Sequence, residues 1–375
     1  MLTPESRAID FPSLTGISYL NSAAEGIPPL AVGQALQQYF KDHLLGMDGR
    51  EAHFAQLDDL KTNIGQMYAL SKEDTAVCSC SSEAYNLLAS AMNFKIGDEV
   101  IINDLDFPSG ITPWLLDSCP AKTRLWSSRD GRLHLEDLKP LLNTNTRLVT
   151  VSMVSFFNGF KTDLQGVAEM VRKHSSSLLS VDVTQALGRI PLDLEPADII
   201  ISSTHKWILA THGGGLIGIN PRRQNELTSQ TGGWFNLQDA FGSERFQKAV
   251  PIPGAASFAV GMPNFPAIYA INAALKYIQT VGVDAIYQTA QPLVEQCLQG
   301  LKKLPVELIS PDNADDLAGI IAFRHPDSAR INKTLRAKNI HIMEHAGRLR
   351  VAIHGYNTPQ DIEHLLATLS QAVKG

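Results

Sequence analysis

The chain has 375 residues, 44% of them hydrophobic and 19% charged, with a formal net charge of −6. These values describe an ordinary globular protein long enough for two domains. The charge gives no reason to expect nucleic acid or an anionic membrane as partner, and no apolar run approaches the roughly 20 residues of a membrane span. The four cysteines, Cys78, Cys80, Cys119 and Cys297, lack the spacing of a metal site or a disulfide framework, so no metal is expected. The first 20 residues carry Glu5, Arg7 and Asp10 in place of a signal peptide's apolar centre. Both features lead us to expect a cytoplasmic protein with reduced cysteines.

In chain order, a helix is expected over 82–92, followed by strands over 99–103, 122–126 and 147–154. A helix over 163–174 precedes further strands over 178–183, 198–202 and 215–220. Apolar strands alternating with amphipathic helices predict an α/β fold whose largely parallel sheet is covered on both faces. Near Gly261-Met262-Pro263-Asn264 the pattern changes to two long helices, 267–280 and 285–304. A strand, helix, strand and helix then follow at 319–324, 330–338, 348–354 and 360–373. The expected organisation is a large domain over 15–265 and a small α+β domain over 266–375 that also takes residues 1–14.

Chemistry concentrates between Leu178 and Lys206. One buried-looking strand ends in Asp182-Val183-Thr184-Gln185, and a second runs straight into Ser203-Thr204-His205-Lys206-Trp207. Open parallel sheets bind ligands at the carboxyl ends of their strands. The two strand ends therefore aim Asp182, Gln185, Ser203, His205 and Lys206 at one crevice. A lysine amine can form a Schiff base with an aldehyde, and a carboxylate can keep a pyridinium nitrogen protonated. Gln185 suits a ring oxygen, and Ser203 and His205 offer donors to a phosphate.

These two motifs resemble the class V aminotransferase and cysteine-desulfurase family, which includes kynureninase-like and isopenicillin-N-epimerase-like enzymes. The resemblance extends to Ser81-Ser82-Glu83-Ala84, to Asp106-Phe107-Pro108-Ser109 with Pro113-Trp114, to Tyr19-Leu20-Asn21-Ser22-Ala23-Ala24, and to Arg348-Leu349-Arg350 leading into Tyr356-Asn357-Thr358. It implies a type I pyridoxal-phosphate architecture with a seven-stranded sheet, working as a homodimer. By the same resemblance Lys206 is the Schiff-base lysine, Asp182 pairs with the pyridine nitrogen, and Gln185 meets the phenolic oxygen. Ser81, Ser82, Ser203 and His205 would hold the phosphate, and Phe107 would stack on the ring. Arg350 would clamp the substrate carboxylate, with Asn21 and Ala23 lining the substrate space.

Several positions depart from the family pattern. Residues 339–347 contain no cysteine, which argues against a persulfide-forming desulfurase. Met262 stands where the family has a threonine that reaches a phosphate across the dimer interface. Phe156 occupies the place of an asparagine near the cofactor, leaving Asn158 without an assigned role. Gly232-Gly233-Trp234 is a candidate for a loop reaching the neighbouring site.

Two glycine motifs mislead. Gly213 to Gly218 spells a dinucleotide fingerprint, but it leads into a strand instead of opening a helix, and the chain has no nucleophile elbow to match an oxyanion loop. The expectation is a transaminating enzyme acting on a small amino acid. A β-lyase or an epimerase is the alternative reaction, and a non-catalytic scaffold the alternative class.

Overall fold

The computed structural model describes residues 3–374. Its main sheet has seven strands: β1 (Thr75–Cys78), β2 (Glu99–Asn103), β3 (Lys122–Trp126), β4 (Thr146–Ser152), β5 (Leu178–Asp182), β6 (Ile199–Ser203) and β7 (Gly215–Ile219). Their order across the sheet is β1-β7-β6-β5-β4-β2-β3. Pairings from β3 through β6 are parallel, while β7 runs antiparallel to both its neighbours. All five residues of β5 and of β7 are buried, so these strands carry apolar side chains on both faces.

Among the helices, α1 (Leu30–His43), α2 (Arg50–Tyr68) and α3 (Ser81–Met92) precede the sheet's centre, and α4 (Leu164–His174) leads into β5. Helix α4 shows why its sequence is helical. Asp163 caps it by accepting the Gly166 N–H, and Leu164, Val167, Ala168 and Val171 form one buried stripe. Arg172, Lys173 and His174 occupy its last turn, where the helix dipole favours cations.

Three differences from the sequence reading have physical causes. The strand expected over 147–154 ends at Ser152, because Val154 turns back to bridge Lys161 and the Met153 carbonyl accepts the Thr162 N–H. Strand β1 is only four residues long and has no Gly or Pro beside it to mark its ends in the sequence. Helices α1 and α2 also lay outside the expected elements. Helix α2 buries His53 and Asn63, and these polar residues blur its apolar periodicity.

After the main sheet, α5 (Phe265–Val281) packs on α1 and α2, and its Ile268, Ile271 and Leu275 join the core beneath the large sheet. Helix α6 (Val283–Leu301) follows Gly282 and begins a separate core. That core is closed by α7 (Ser328–Ala337), α8 (Pro359–Ala372) and a four-stranded antiparallel sheet. The strands are β8 (Glu307–Leu308), β9 (Ile320–Arg324), β10 (Met343–His345) and β11 (Arg348–Ala352), in the order β10-β11-β9-β8. The amino-terminal pair Ser18–Tyr19 lies parallel to Ile340–His341, and Leu20 is buried in this second core.

The amino-terminal segment then crosses to the large sheet. The Gly26 N–H donates to the His205 carbonyl at 2.8 Å. A side chain at Gly26 would collide with the Lys206 carbonyl oxygen. Gly26→Ala is therefore expected to lower the midpoint of chemical unfolding by the equivalent of about 1–3 kcal/mol, the usual cost of overpacking. Gly16→Ala, at a position with open space beyond its Cβ but a positive φ of 73°, tests backbone strain alone. Circular dichroism against urea separates the two variants.

Candidate active site

A cavity of ≈ 770 Å³ opens at the carboxyl ends of β5 and β6. Ala23, Ser81, Ser82, Phe107, Asp182, Gln185, Ser203, His205, Lys206 and Arg350 all line it. Of the residues expected there, only Asn21 is elsewhere. It sits in the extended amino-terminal segment, bridging Ala352 of the small sheet, and its side-chain oxygen is buried without a partner. The chain turns immediately afterwards, with the Asn21 carbonyl accepting from Ala24 and Glu25, and that turn brings Ala23 to the cavity.

Asp182 ends β5 and is 7% exposed. Its Oδ1 accepts the Thr184 N–H at 2.7 Å and its Oδ2 accepts the Tyr85 hydroxyl at 3.1 Å. Burial raises its pKa above the ordinary carboxylate value, opposed by those hydrogen bonds and by the charge of Lys206. Lys206 is 9% exposed, forms no hydrogen bond through Nζ among the described residues, and has that atom 5.1 Å from the centre of the Phe107 ring. Burial, with Arg350 assisting and Asp182 opposing, lowers its pKa to about 8.

The hydroxyls converge from separate elements. Ser203, at the end of β6, donates to Ser81 at the start of α3 at 2.8 Å. Ser82 follows on the same first turn, where unpaired backbone N–H groups favour an anion. Gly215 permits this approach, because a Cβ there would lie 2.6 Å from the Cys80 carbonyl. His205 stacks on His212 with ring centres 4.3 Å apart, and burial together with the charge of Lys206 lowers its pKa to about 4. Gln185 is fixed at both ends, donating to the Ala23 carbonyl at 3.2 Å and accepting the Trp207 indole N–H at 2.6 Å.

The opposite wall comes from the carboxyl-terminal sheet. Arg350 is 3% exposed; its Nη1 donates to the Phe156 carbonyl at 2.7 Å and its Nε is buried without a partner. Burial lowers its pKa to about 9, and neighbouring Arg348 adds to the effect. The rings of Phe156 and Phe107 meet nearly perpendicular, with centres 5.0 Å apart. Asn158 is structural, since it is buried and bonds the Gly131 carbonyl and the Phe160 N–H.

The sequence reading missed Tyr85, Thr184, Phe157 and the role of Arg348. Tyr85 lies four residues after Ser81, which puts both on one face of α3, and that spacing was the available signal.

These donors fit pyridoxal phosphate: a hydroxyl-lined helix start for the phosphate, a buried carboxylate for a ring nitrogen, and a buried amine with no hydrogen-bond partner. The aminotransferase class-V family profile matches residues 18–365. The chain belongs to that family and is a pyridoxal-phosphate-dependent enzyme. It is 24% identical over 367 residues to an uncharacterized aminotransferase of Bacillus subtilis (strain 168), covering 97% of this chain and 96% of the relative. It is 28% identical over 337 residues to a cysteine desulfurase of Escherichia coli (strain SE11), covering 84% of this chain and 80% of that one. The apo cysteine desulfurase of Thermococcus onnurineus NA1 has the same fold, with a TM-score of 0.90 at 21% identity over 100% of this chain and 99% of that one. A cystine C–S lyase in complex with cysteine persulfide superposes with a TM-score of 0.88 at 21% identity, over 96% of this chain and 99% of that one.

The neutral amine is the form that attacks an aldehyde, so the lowered pKa sets where Lys206 reacts. Covalent capture of pyridoxal phosphate by cofactor-free protein should accelerate with rising pH through a midpoint near 8, instead of above 10 as for an ordinary lysine. Stopped-flow absorbance across pH 6–10 checks this, and a midpoint near 10 would contradict the desolvated amine.

Proposed function

We propose that this enzyme transfers the amino group of a small α-amino acid, with Lys206 carrying the cofactor and moving the α-proton. The observation that carries this reading is the pairing of a buried, deprotonatable Lys206 on one wall with the unpartnered Arg350 edge on the other. Bound in the cavity, pyridoxal phosphate supplies an aldehyde that condenses with amines and a ring that accepts electrons released at the α-carbon. Ser81, Ser82, Ser203 and His205 are the candidate phosphate donors, and Phe107 the candidate ring contact. Asp182 would hold a proton at the ring nitrogen, with Tyr85 and Thr184 fixing its carboxylate. Gln185 keeps one amide hydrogen free beyond its bond to Ala23.

Arg350 spends Nη1 on the Phe156 carbonyl, which leaves Nε and Nη2 as a fork for a carboxylate. A substrate held there presents its α-carbon to Lys206, whose Nζ takes the proton as general base. The wall that would face the substrate side chain, Met343 to Ala352, has no cysteine. Cys80 does line the cavity, but it caps α3 among the phosphate donors. This distribution favours amino transfer over sulfur capture by an enzyme thiol. β-Elimination from a sulfur-containing amino acid is the second reading, supported by the likeness to the structure named as a cystine C–S lyase.

The cavity lies where the large unit meets the carboxyl-terminal unit; in place of the expected boundary at 265, we take the large unit to run through Gly282, because Ile268, Ile271 and Leu275 of α5 pack in its core. A homodimer is supported by the apolar stretch Phe40, Leu44, Leu45 and Met47, all at least 60% exposed. Free cysteines support a cytoplasmic setting. No helix among the described residues is long and apolar enough to cross a membrane.

Purified enzyme should turn over an amino acid repeatedly only when a 2-oxo acid acceptor is present, with at most one equivalent converted per site and no ammonia released without it, and Lys206→Ala should lower turnover by about 10²–10⁴-fold, as expected for a lost general base. Release of ammonia and a 2-oxo acid without any acceptor would instead select the elimination reading. Chromatographic analysis of products with and without acceptor distinguishes the two.

A further inference from the structure

The carboxyl-terminal wall holds more positive charge than one substrate carboxylate requires. Arg348 and Arg350 are two residues apart on β11, so their side chains leave the same face of the strand. Strand β10 sets His345 opposite Arg348 and Met343 opposite Arg350, and all four residues line the cavity. The two guanidiniums are tethered alike, Arg350 to the Phe156 carbonyl and Arg348 to the Phe157 carbonyl, each at 2.7 Å. Arg348 also lies over the Phe157 ring, 4.3 Å from its centre.

Neither arginine has a carboxylate partner among the described residues. Their pKa values are lowered by burial and by neighbouring arginines, with no anion opposing the shift. Asp182, at the end of β5, is the one acidic side chain in the lining among the described residues. Two adjacent, partly desolvated guanidiniums repel each other, and one carboxylate on Arg350 leaves Arg348 uncompensated. A second anionic group completes the pairing.

We propose that the substrate is an α-amino acid whose side chain ends in a carboxylate, and that Arg348 is the residue that selects it. This rests on the reading of Arg350 as the α-carboxylate clamp. Arg348 reads the side chain through the edge left free by its bond to Phe157, next to the exposed His345. A neutral amide of the same shape leaves that guanidinium unpaired, and the penalty for an unpaired buried group is what gives discrimination.

The test titrates the holoenzyme with aspartate, asparagine, glutamate, glutamine and alanine, reading the change in cofactor absorbance as a binding curve. A second readout, free of the cofactor, compares succinate with butyrate in raising the unfolding temperature of the cofactor-free protein. One acid should bind at least about 30-fold more tightly than its amide, a difference within reach of a two-pronged charged contact. Arg348→Gln should reduce that preference to within about 3-fold and abolish the advantage of succinate. Arg348→Lys should retain part of the preference, because it keeps the charge without the fork.

If Arg348→Gln does not fold, Arg348→Lys decides, and its acid-to-amide preference must fall by at least about 5-fold. An acid preference that is absent in the native enzyme, or that survives loss of Arg348, overturns the proposal while amino-acid binding itself still stands. If no amino acid perturbs the absorbance, the proposed function fails and this inference with it.

Discussion

An amine and a carboxylate buried at the ends of two adjacent strands are the constraint on which the site depends. Lys206 and Asp182 are each less than a tenth exposed, and burial drives both toward their neutral forms. Desolvating a charge is costly unless something compensates it. For Asp182 the compensation is local, from the Thr184 N–H and the Tyr85 hydroxyl. For Lys206 no hydrogen bond compensates, and its amine is left poised for proton transfer and covalent chemistry.

The cavity is made by two cores that meet across it, and backbone carbonyls join them. Arg348 and Arg350 of the small sheet donate to carbonyls that follow β4 of the large one. His354 donates from Nε2 to the Trp207 carbonyl at 2.8 Å, while its Nδ1 accepts the Gly355 N–H. Those two bonds fix its tautomer, and burial lowers its pKa to about 3, so this histidine fastens the units together as a neutral group. Gln185 does the same for the amino-terminal segment through the Ala23 carbonyl. Movement of either unit would therefore carry substrate-facing residues with it.

Much of the site was legible because strand-end chemistry is local. Asp182 and Gln185 follow one strand, Ser203 to Lys206 follow another, and neighbouring parallel strands deliver their ends to one place. The fold was legible for a similar reason, since continuous apolar runs such as Ile199-Ile200-Ile201 mark strands buried on both faces. Asn21 was misplaced because an extended segment gives no sign of where it will turn. Helix α2 escaped notice because its interior face carries His53 and Asn63, whose partners Tyr269 and Asn272 lie on α5 more than 200 residues later.

The sequence by itself determined the alternation of strands and helices, the lysine and aspartate at strand ends, and the absence of a thiol from residues 339–347. Each is a property of residue type and short spacing. Only the tertiary structure decided that Tyr85 supports Asp182 and that Ser81 meets Ser203. It also decided that two arginines of the small sheet face the cavity without acidic partners among the described residues. Those are contacts between segments tens to hundreds of residues apart, set by how two cores pack, and no local pattern encodes them.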